Sequence, residues 1–287
     1  METAELLKKV RKIEIKARGL TRHIFAGEYH SAFKGRGIAF SEVREYQYGD
    51  DIRSIDWNVT ARFNHPYIKV FEEERELTVM LLIDVSGSGS FGTNVSFKRD
   101  IMTEIAAVLS LSAINNNDKI GVIFFSDRVE KFIPPQKGRK HILRIIRELL
   151  GFRSVSSKTN LDEPLRFLTN AIKKRSTAFI ISDFIAPDFE EALRIASNKH
   201  DIVALKVFDR AETSIPNVGM IKVIDSETEV EKWIDTSSSV ARKRYSMWWE
   251  NHVSSIKNTF KRCGVDFAFF STGEDYVKPL VQLFENR

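Results

Sequence analysis

Residues 84–88, Asp-Val-Ser-Gly-Ser, place one carboxylate and two hydroxyls at alternate positions directly after the apolar run Leu77 to Ile83. A continuing strand would keep alternate residues on one face, but here the strand ends and Gly87 lets the chain curl. Asp84, Ser86 and Ser88 can then be turned toward one point. A set made only of oxygens suits a hard divalent cation, Mg²⁺ or Ca²⁺, rather than a softer metal. Three oxygens leave such a site incomplete. Two later residues are of the right type: Thr159, in Ser156-Ser157-Lys158-Thr159-Asn160-Leu161, and Asp183, which follows the apolar run Thr177 to Ile181. In the loop before a helix, Thr159 would serve equally well as an N-cap.

These residues depend on the elements that carry them. Apolar runs at 77–83, 120–125, 177–181, 202–207 and 265–270 read as strands, without the polar alternation of a half-exposed sheet. Between them lie segments with helical spacing at 95–114, 141–150, 161–171, 189–197, 238–262 and 277–284. Val129 to Ile133 reads as a partner of the second strand, and 220–224 with 229–234 as a hairpin turning at Ser226-Glu227. Alternation of this kind predicts an α/β fold, a doubly wound and mostly parallel sheet flanked by helices. In such sheets ligands sit beyond the carboxyl ends of the strands. Asp84 and Asp183 both end strands, so Asp84, Ser86, Ser88, Thr159 and Asp183 are expected on one rim.

Composition narrows the setting. The chain has 287 residues, 43% of them hydrophobic, including 21 Phe, enough for one large domain with an appendage. Its one cysteine, Cys263, excludes an intramolecular disulfide and reads as a buried structural residue. No segment approaches the roughly 20 apolar residues of a membrane span, and basic residues interrupt the N-terminus where a signal peptide would be apolar. A cytoplasmic protein is the expectation. The net charge of +5 arises within residues 1–36, which hold nine Lys or Arg against four Glu. Leu6, Val10, Ile13 and Ala17 recur there at helical spacing, predicting an amphipathic helix with a basic solvated face. That face leaves room for peripheral contact with an anionic surface. No aromatic interleaving points to nucleic acid, and none is expected as a partner.

Enzyme patterns are weaker. Gly87-Ser88-Gly89-Ser90-Phe91-Gly92 spells G-x-G-x-x-G after a strand, but the acidic residue expected about 20 positions on is absent, since the next strand ends near Asp127. Ser86 stands where an Asp-x-Asp phosphatase needs its second carboxylate. The six His show no ligand spacing.

Asp-x-Ser-x-Ser after an apolar strand, a later loop Thr and an Asp ending a further strand resemble the metal-ion-dependent adhesion site of von Willebrand factor type A domains. Upstream, Gly35-Arg36-Gly37, Phe40-Ser41-Glu42-Val43-Arg44-Glu45-Tyr46, Gly49-Asp50-Asp51-Ile52-Arg53, Ile55-Asp56-Trp57-Asn58, Ala61-Arg62 and Glu73-Glu74-Arg75-Glu76 resemble the signature of the bacterial domain-of-unknown-function 58 family. The resemblance implies Mg²⁺, with Mn²⁺ or Ca²⁺ as substitutes. It implies Ser86, Ser88 and Thr159 as direct ligands, Asp84 and Asp183 as supports, and an open position for the Asp or Glu of a protein partner. It further implies a non-enzymatic interaction module working beside a MoxR-type AAA+ ATPase in the assembly or remodelling of other proteins. Two alternatives stand against it. One is a metal-dependent hydrolase with Asp162 or Asp127 as base. The other is a structural scaffold whose site stays empty.

Two segments are expected: 1–76, a basic helix and a charged β-unit, and 77–287, the type A-like domain with a hairpin insertion near 219–235. Around Trp57, Arg44, Asp50, Asp51, Arg53, Asp56, Arg62, Glu74 and Arg75 alternate in sign. They read as a partly buried ion-pair network.

Overall fold

The computed structural model describes residues 39–72, 77–87, 97–224 and 230–287. Ser88, the basic N-terminal helix, the glycines at 89 and 92 and the hairpin turn at 226–227 therefore lie outside the described residues, as do 35–37 and 73–76. The chain divides into two compact units that part between Leu77 and Thr78.

The smaller unit pairs β1 (Ala39–Glu45) with β2 (Tyr67–Glu72) as antiparallel strands, joined through a 3₁₀ turn at Ile52–Ser54 and the helix α1 (Trp57–Phe63). Its acidic residues are mostly local caps. Asp51 accepts from the Arg53 N–H at 2.9 Å, and Asp56 from Asn58 and Val59 at 3.0 and 3.3 Å. Two ion pairs join them, Arg44–Asp50 at 2.7 Å and Lys69–Asp56 at 3.4 Å, with both basic side chains about two-fifths exposed. Arg53, Arg62 and Trp57 are exposed. Among the described residues the expected partly buried network is replaced by short-range pairs and caps, because this unit is too small to enclose charge; Glu74 and Arg75 lie outside them.

The larger unit holds β3 (Thr78–Asp84), β4 (Lys119–Phe125), β5 (Val129–Gln136), β6 (Thr177–Ser182), β7 (Asp201–Phe208) and β10 (Asp266–Ser271) in one sheet, ordered β10-β7-β6-β3-β4-β5. All neighbours run parallel except β4 and β5. β5 carries Pro134 and Pro135, which suits an edge position where N–H donors are not needed on both sides. Gly121 opposite it is a space requirement: an added Cβ would lie 2.8 Å from Met80 Sδ and 2.9 Å from both the Ile133 carbonyl and the Pro135 nitrogen.

The central strands are apolar because both faces are covered. Met80, Leu82, Ile123, Phe125, Ala178 and Ile180 join one buried cluster with Leu165 of α4 (Asp162–Ala171), Leu193 of α5 (Glu190–Lys199) and Phe260 of α6 (Ser239–Arg262). Phe179 points the other way and meets Phe284 of α7 (Val277–Glu285), ring centroids 6.2 Å apart. Two further helices, α2 (Lys98–Asn115) and α3 (Arg139–Gly151), complete the set. The α/β fold is therefore doubly wound and mostly parallel. A separate exposed hairpin, β8 (Met220–Ile224) with β9 (Glu231–Asp235), precedes α6.

The order of strands fixes where a crevice opens. From β3 the chain goes through α2 to β4 on one side; from β6 it goes through α5 to β7 on the other. Loops that diverge from adjacent strands leave a gap between their carboxyl ends. Asp84 and Asp183 lie at that gap.

Candidate functional site

Asp84 is the last residue of β3 and is 4% exposed. Its Oδ1 accepts the N–H of Ser86 at 2.9 Å, the turn that starts the curl, and its Oδ2 accepts the hydroxyl of Ser182 at 2.7 Å. The Gly87 N–H donates to the Ser157 carbonyl at 3.0 Å, and the Asn160 N–H donates to the Ser126 carbonyl beyond β4 at 2.9 Å. Those two bonds strap the 157–160 loop across the ends of β3 and β4, with Thr159 between them. The turn into α4 is held by Asn160, whose Oδ1 accepts from the Asp162 N–H at 2.9 Å, and the N-cap position is Leu161, not Thr159. Thr159 is buried, and its hydroxyl has no hydrogen-bond partner. A buried hydroxyl left unpaired costs on the order of 1–3 kcal/mol.

Asp183 follows β6 and is 1% exposed. Its Oδ1 accepts the Ile185 N–H at 3.1 Å, while Phe184 between them has φ of 54°. A bulky residue in the left-handed region stores on the order of 1–3 kcal/mol. Phe184 is held there by complete burial against Phe189 and Phe260 and by the Ser182 hydroxyl, which accepts its N–H at 3.0 Å.

The sequence did not announce what lies on the far side of Asp183. Lys98, the first residue of α2, donates to Asp183 Oδ2 at 2.8 Å and to Glu212 Oε1 at 2.7 Å, and it is 1% exposed. Glu212 Oε2 accepts the N–H of Asp209 at 2.9 Å, and its carbonyl accepts the hydroxyl of Tyr245 from α6 at 2.9 Å. Lys206, fully buried in β7, donates to the backbone carbonyl of Asp183 and lies 5.4 Å from the Trp249 ring centroid. A signal for Lys206 was present: a lysine inside a strand covered on both faces needs an anion beside it. Lys98 gave none, since a basic residue opening a helix looks like any solvated one.

These neighbours divide the two carboxylates. Burial, and then the charge of Asp183, push Asp84 up to about 6. Burial would raise Asp183 as well, but Lys98 and Lys206 outweigh it and hold that carboxyl below its usual range. Burial likewise works against the Lys98 ammonium and is overcome by Asp183 and Glu212. Lys206 is pulled down to about 8 by burial. Asp183 and Glu212 thus face the two ammonium groups, Lys98 and Lys206, whereas the donors to Asp84 are neutral. That difference and the unpartnered Thr159 hydroxyl fit the oxygen set of a hard divalent cation. Asp84, Ser86 and Thr159 would hold it, and the cation would supply charge and an open coordination position.

The other candidates settle elsewhere. Asp162 pairs with Arg166 at 2.5 Å on an exposed helix face, and Asp127 sits beside the Ser126 hydroxyl at 3.3 Å. His141 and His200 are buried against the Ile120 carbonyl and the Ser176 hydroxyl, and His252 stacks on Trp248. Cys263 is buried against the Glu190 carbonyl. Among the described residues no three His, Cys, Asp or Glu gather into a metal cluster, and no helix is long and apolar enough to cross a membrane. A cleft of about 600 Å³ runs along edge strand β10 beside Phe267 and Phe269 and contains none of the rim residues.

A family model described as "Protein of unknown function DUF58" matches residues 42–254. An uncharacterized protein of Mycobacterium tuberculosis is 26% identical over 290 residues, covering all of this chain and 91% of its own length. The uncharacterized protein YeaD of Bacillus subtilis is 28% identical over 109 residues, 38% of this chain and 25% of its own. Among solved structures, an aerotolerance-related membrane protein from Bacteroides fragilis aligns with a TM-score of 0.48 at 12% identity, over 73% of this chain and 97% of that one. The SpRpn10 VWA domain aligns with a TM-score of 0.43 at 10% identity, over 74% and 96%.

Proposed function

The chain belongs to the family described as protein of unknown function DUF58, and on that footing we propose that it is a protein–protein interaction module whose rim takes a divalent cation and, through it, a partner's carboxylate. Mg²⁺ is the cation that the donor chemistry favours, with Mn²⁺ or Ca²⁺ as substitutes. The observation that carries this reading is the Thr159 hydroxyl, buried and unpartnered on a loop strapped to the Asp84 turn.

The residues divide the work. Asp84 is fixed by Ser182 and by the Ser86 N–H, so one carboxylate is pre-positioned at the crevice. Ser86 and Thr159 offer neutral oxygens, and Ser88 is proposed with them from its place in the sequence pattern. Neutral donors leave the cation's charge under-compensated, which favours an anionic sixth ligand from outside. Among the described residues, Asp162 is committed to Arg166 and Asp127 sits beside the Ser126 hydroxyl. An interaction role is therefore preferred to a hydrolase. The resemblance of the upstream signature makes a MoxR-type AAA+ ATPase the proposed partner, and assembly or remodelling of other proteins the proposed setting.

Calorimetric titration with Mg²⁺ and Mn²⁺ tests the first half. Wild type should bind one ion, and Asp84→Ala and Thr159→Val should each bind far more weakly. Wild type that binds neither metal would sink the reading. For the second half, a purified MoxR-type ATPase should be retained by wild type in Mg²⁺ and released in chelator.

A further inference from the structure

Two carboxylates face the crevice, and the fold treats them differently. Both side-chain oxygens of Asp183 are engaged, one by the Lys98 ammonium at 2.8 Å and one by the Ile185 N–H at 3.1 Å, and its backbone carbonyl accepts from Lys206. Asp84 receives the Ser182 hydroxyl and the Ser86 N–H, both neutral donors. Lys98 is held from behind as well. It is 1% exposed, and Glu212, its second partner, is itself fixed by the Asp209 N–H.

We propose that Lys98 is a resident counter-ion that does at Asp183 what a metal would otherwise do, so that the rim is preformed without metal and a divalent cation binds on the Asp84 side against the repulsion of a fixed ammonium. The proposal rests on the reading of the rim as a cation site and adds two things to it. It assigns Asp84, not Asp183, as the carboxylate that faces the ion. It also names Lys98 as the residue that keeps the affinity low, which makes the cation's attachment depend on a partner's carboxylate arriving. Like charges repel more strongly in a buried setting than in water, so burial of Lys98 is what gives it this leverage.

The test compares wild type with Lys98→Met and with the double variant Lys98→Met/Glu212→Gln, which also removes one of the two carboxylate charges that the single change would strand. Mg²⁺ binding is read by calorimetry, and melting temperature is read in chelator and in saturating Mg²⁺. Wild type is expected to stay folded in chelator. Both variants should bind Mg²⁺ at least about tenfold more tightly than wild type. Their melting temperatures should rise more on adding Mg²⁺, because a tighter ligand stabilises more by mass action. Should the single variant fail to fold in chelator, the double variant carries the measurement. Mg²⁺ binding by wild type with equal or weaker binding by the variants would overturn the proposal and leave the rim's cation role standing. Binding by the variants alone would mean that Lys98 excludes the cation from wild type, which overturns the proposal together with the reading it rests on. If none of the three proteins binds Mg²⁺, the cation reading fails and the proposal fails with it.

Discussion

The molecule has two clusters of alternating charge, and they obey opposite physics. In residues 43–69 the charged groups lie close in the chain, their basic members about two-fifths exposed and their carboxylates engaged in caps and short pairs such as Arg44–Asp50. At the rim, Lys98 meets partners 85 and 114 residues away, all with little or no exposure. Water screens the first cluster and makes each member nearly dispensable. The second has no water to fall back on, so each member is obligatory once the others are present. Density of charge in a sequence is thus a poor guide to where charge matters. Burial decides it.

The sharpest way to break this contrast is to remove Asp183. Asp183→Ala takes from Lys98 one of its two carboxylate partners and from Lys206 one of the two carboxylates whose charge supports it. A buried charge stranded in this way costs on the order of 3–5 kcal/mol. Urea denaturation should show a loss of that size. Asp84→Asn should cost far less, because an amide can still accept the Ser86 N–H and donate to the Ser182 hydroxyl, and the repulsion from Asp183 disappears. Equal losses for the two variants would mean that the carboxylates are not divided as the lysines imply.

The sheet and the rim were legible in the sequence for the same reason: parallel strands covered on both faces must be continuous apolar runs, and polar residues that end such runs stand out. Asp84 and Asp183 were visible because each ends a strand, and Thr159 because an oxygen-bearing loop precedes a helix. The lysines were not. An ion pair that closes over 85 residues leaves no spacing to read, and Lys98 acquires its meaning only when α2 is laid against β6 and β7. The α1 helix was missed for the converse reason. Seven residues beginning at an exposed Trp57 carry no apolar stripe, and Asp56 as its cap is one acidic residue among several.

Acid offers a gentler lever on the same contrast. His200 is 1% exposed, its Nδ1 lies 3.0 Å from the Ser176 hydroxyl and its Nε2 has no partner. Burial, with Lys199 and Arg175 nearby, lowers it to about 4. A histidine depressed in the folded state is kept neutral, so its stabilising contribution is complete above its unfolded value near 6.5 and is lost as pH falls from there toward 4. Roughly 3 kcal/mol should disappear across that window. His200→Asn, which keeps a polar atom where Nδ1 faces Ser176, should flatten this part of the pH profile. An unchanged slope would place the acid sensitivity elsewhere.

The smallest effect belongs to the small unit, and its smallness is the point. Arg44→Ala removes a two-pronged pair, with Nη1 at 2.9 Å and Nη2 at 2.7 Å from the Asp50 carboxylate, yet Arg44 is about two-fifths exposed. The Debye length falls from about 8 Å at physiological ionic strength to about 3 Å at 1 M, so high salt is what screens an exposed pair at this distance. Its loss should therefore lower the melting temperature slightly at low ionic strength and vanish in high salt. Asp56→Ala should behave differently within the same unit, because what it loses is the cap on α1, two backbone donors whose need for a partner does not depend on ionic strength. Melting curves of both variants at low and high salt separate the two cases. A drop for Arg44→Ala that persists in high salt would mean that this region's charge is shielded from water after all, and the contrast with the rim would be one of degree.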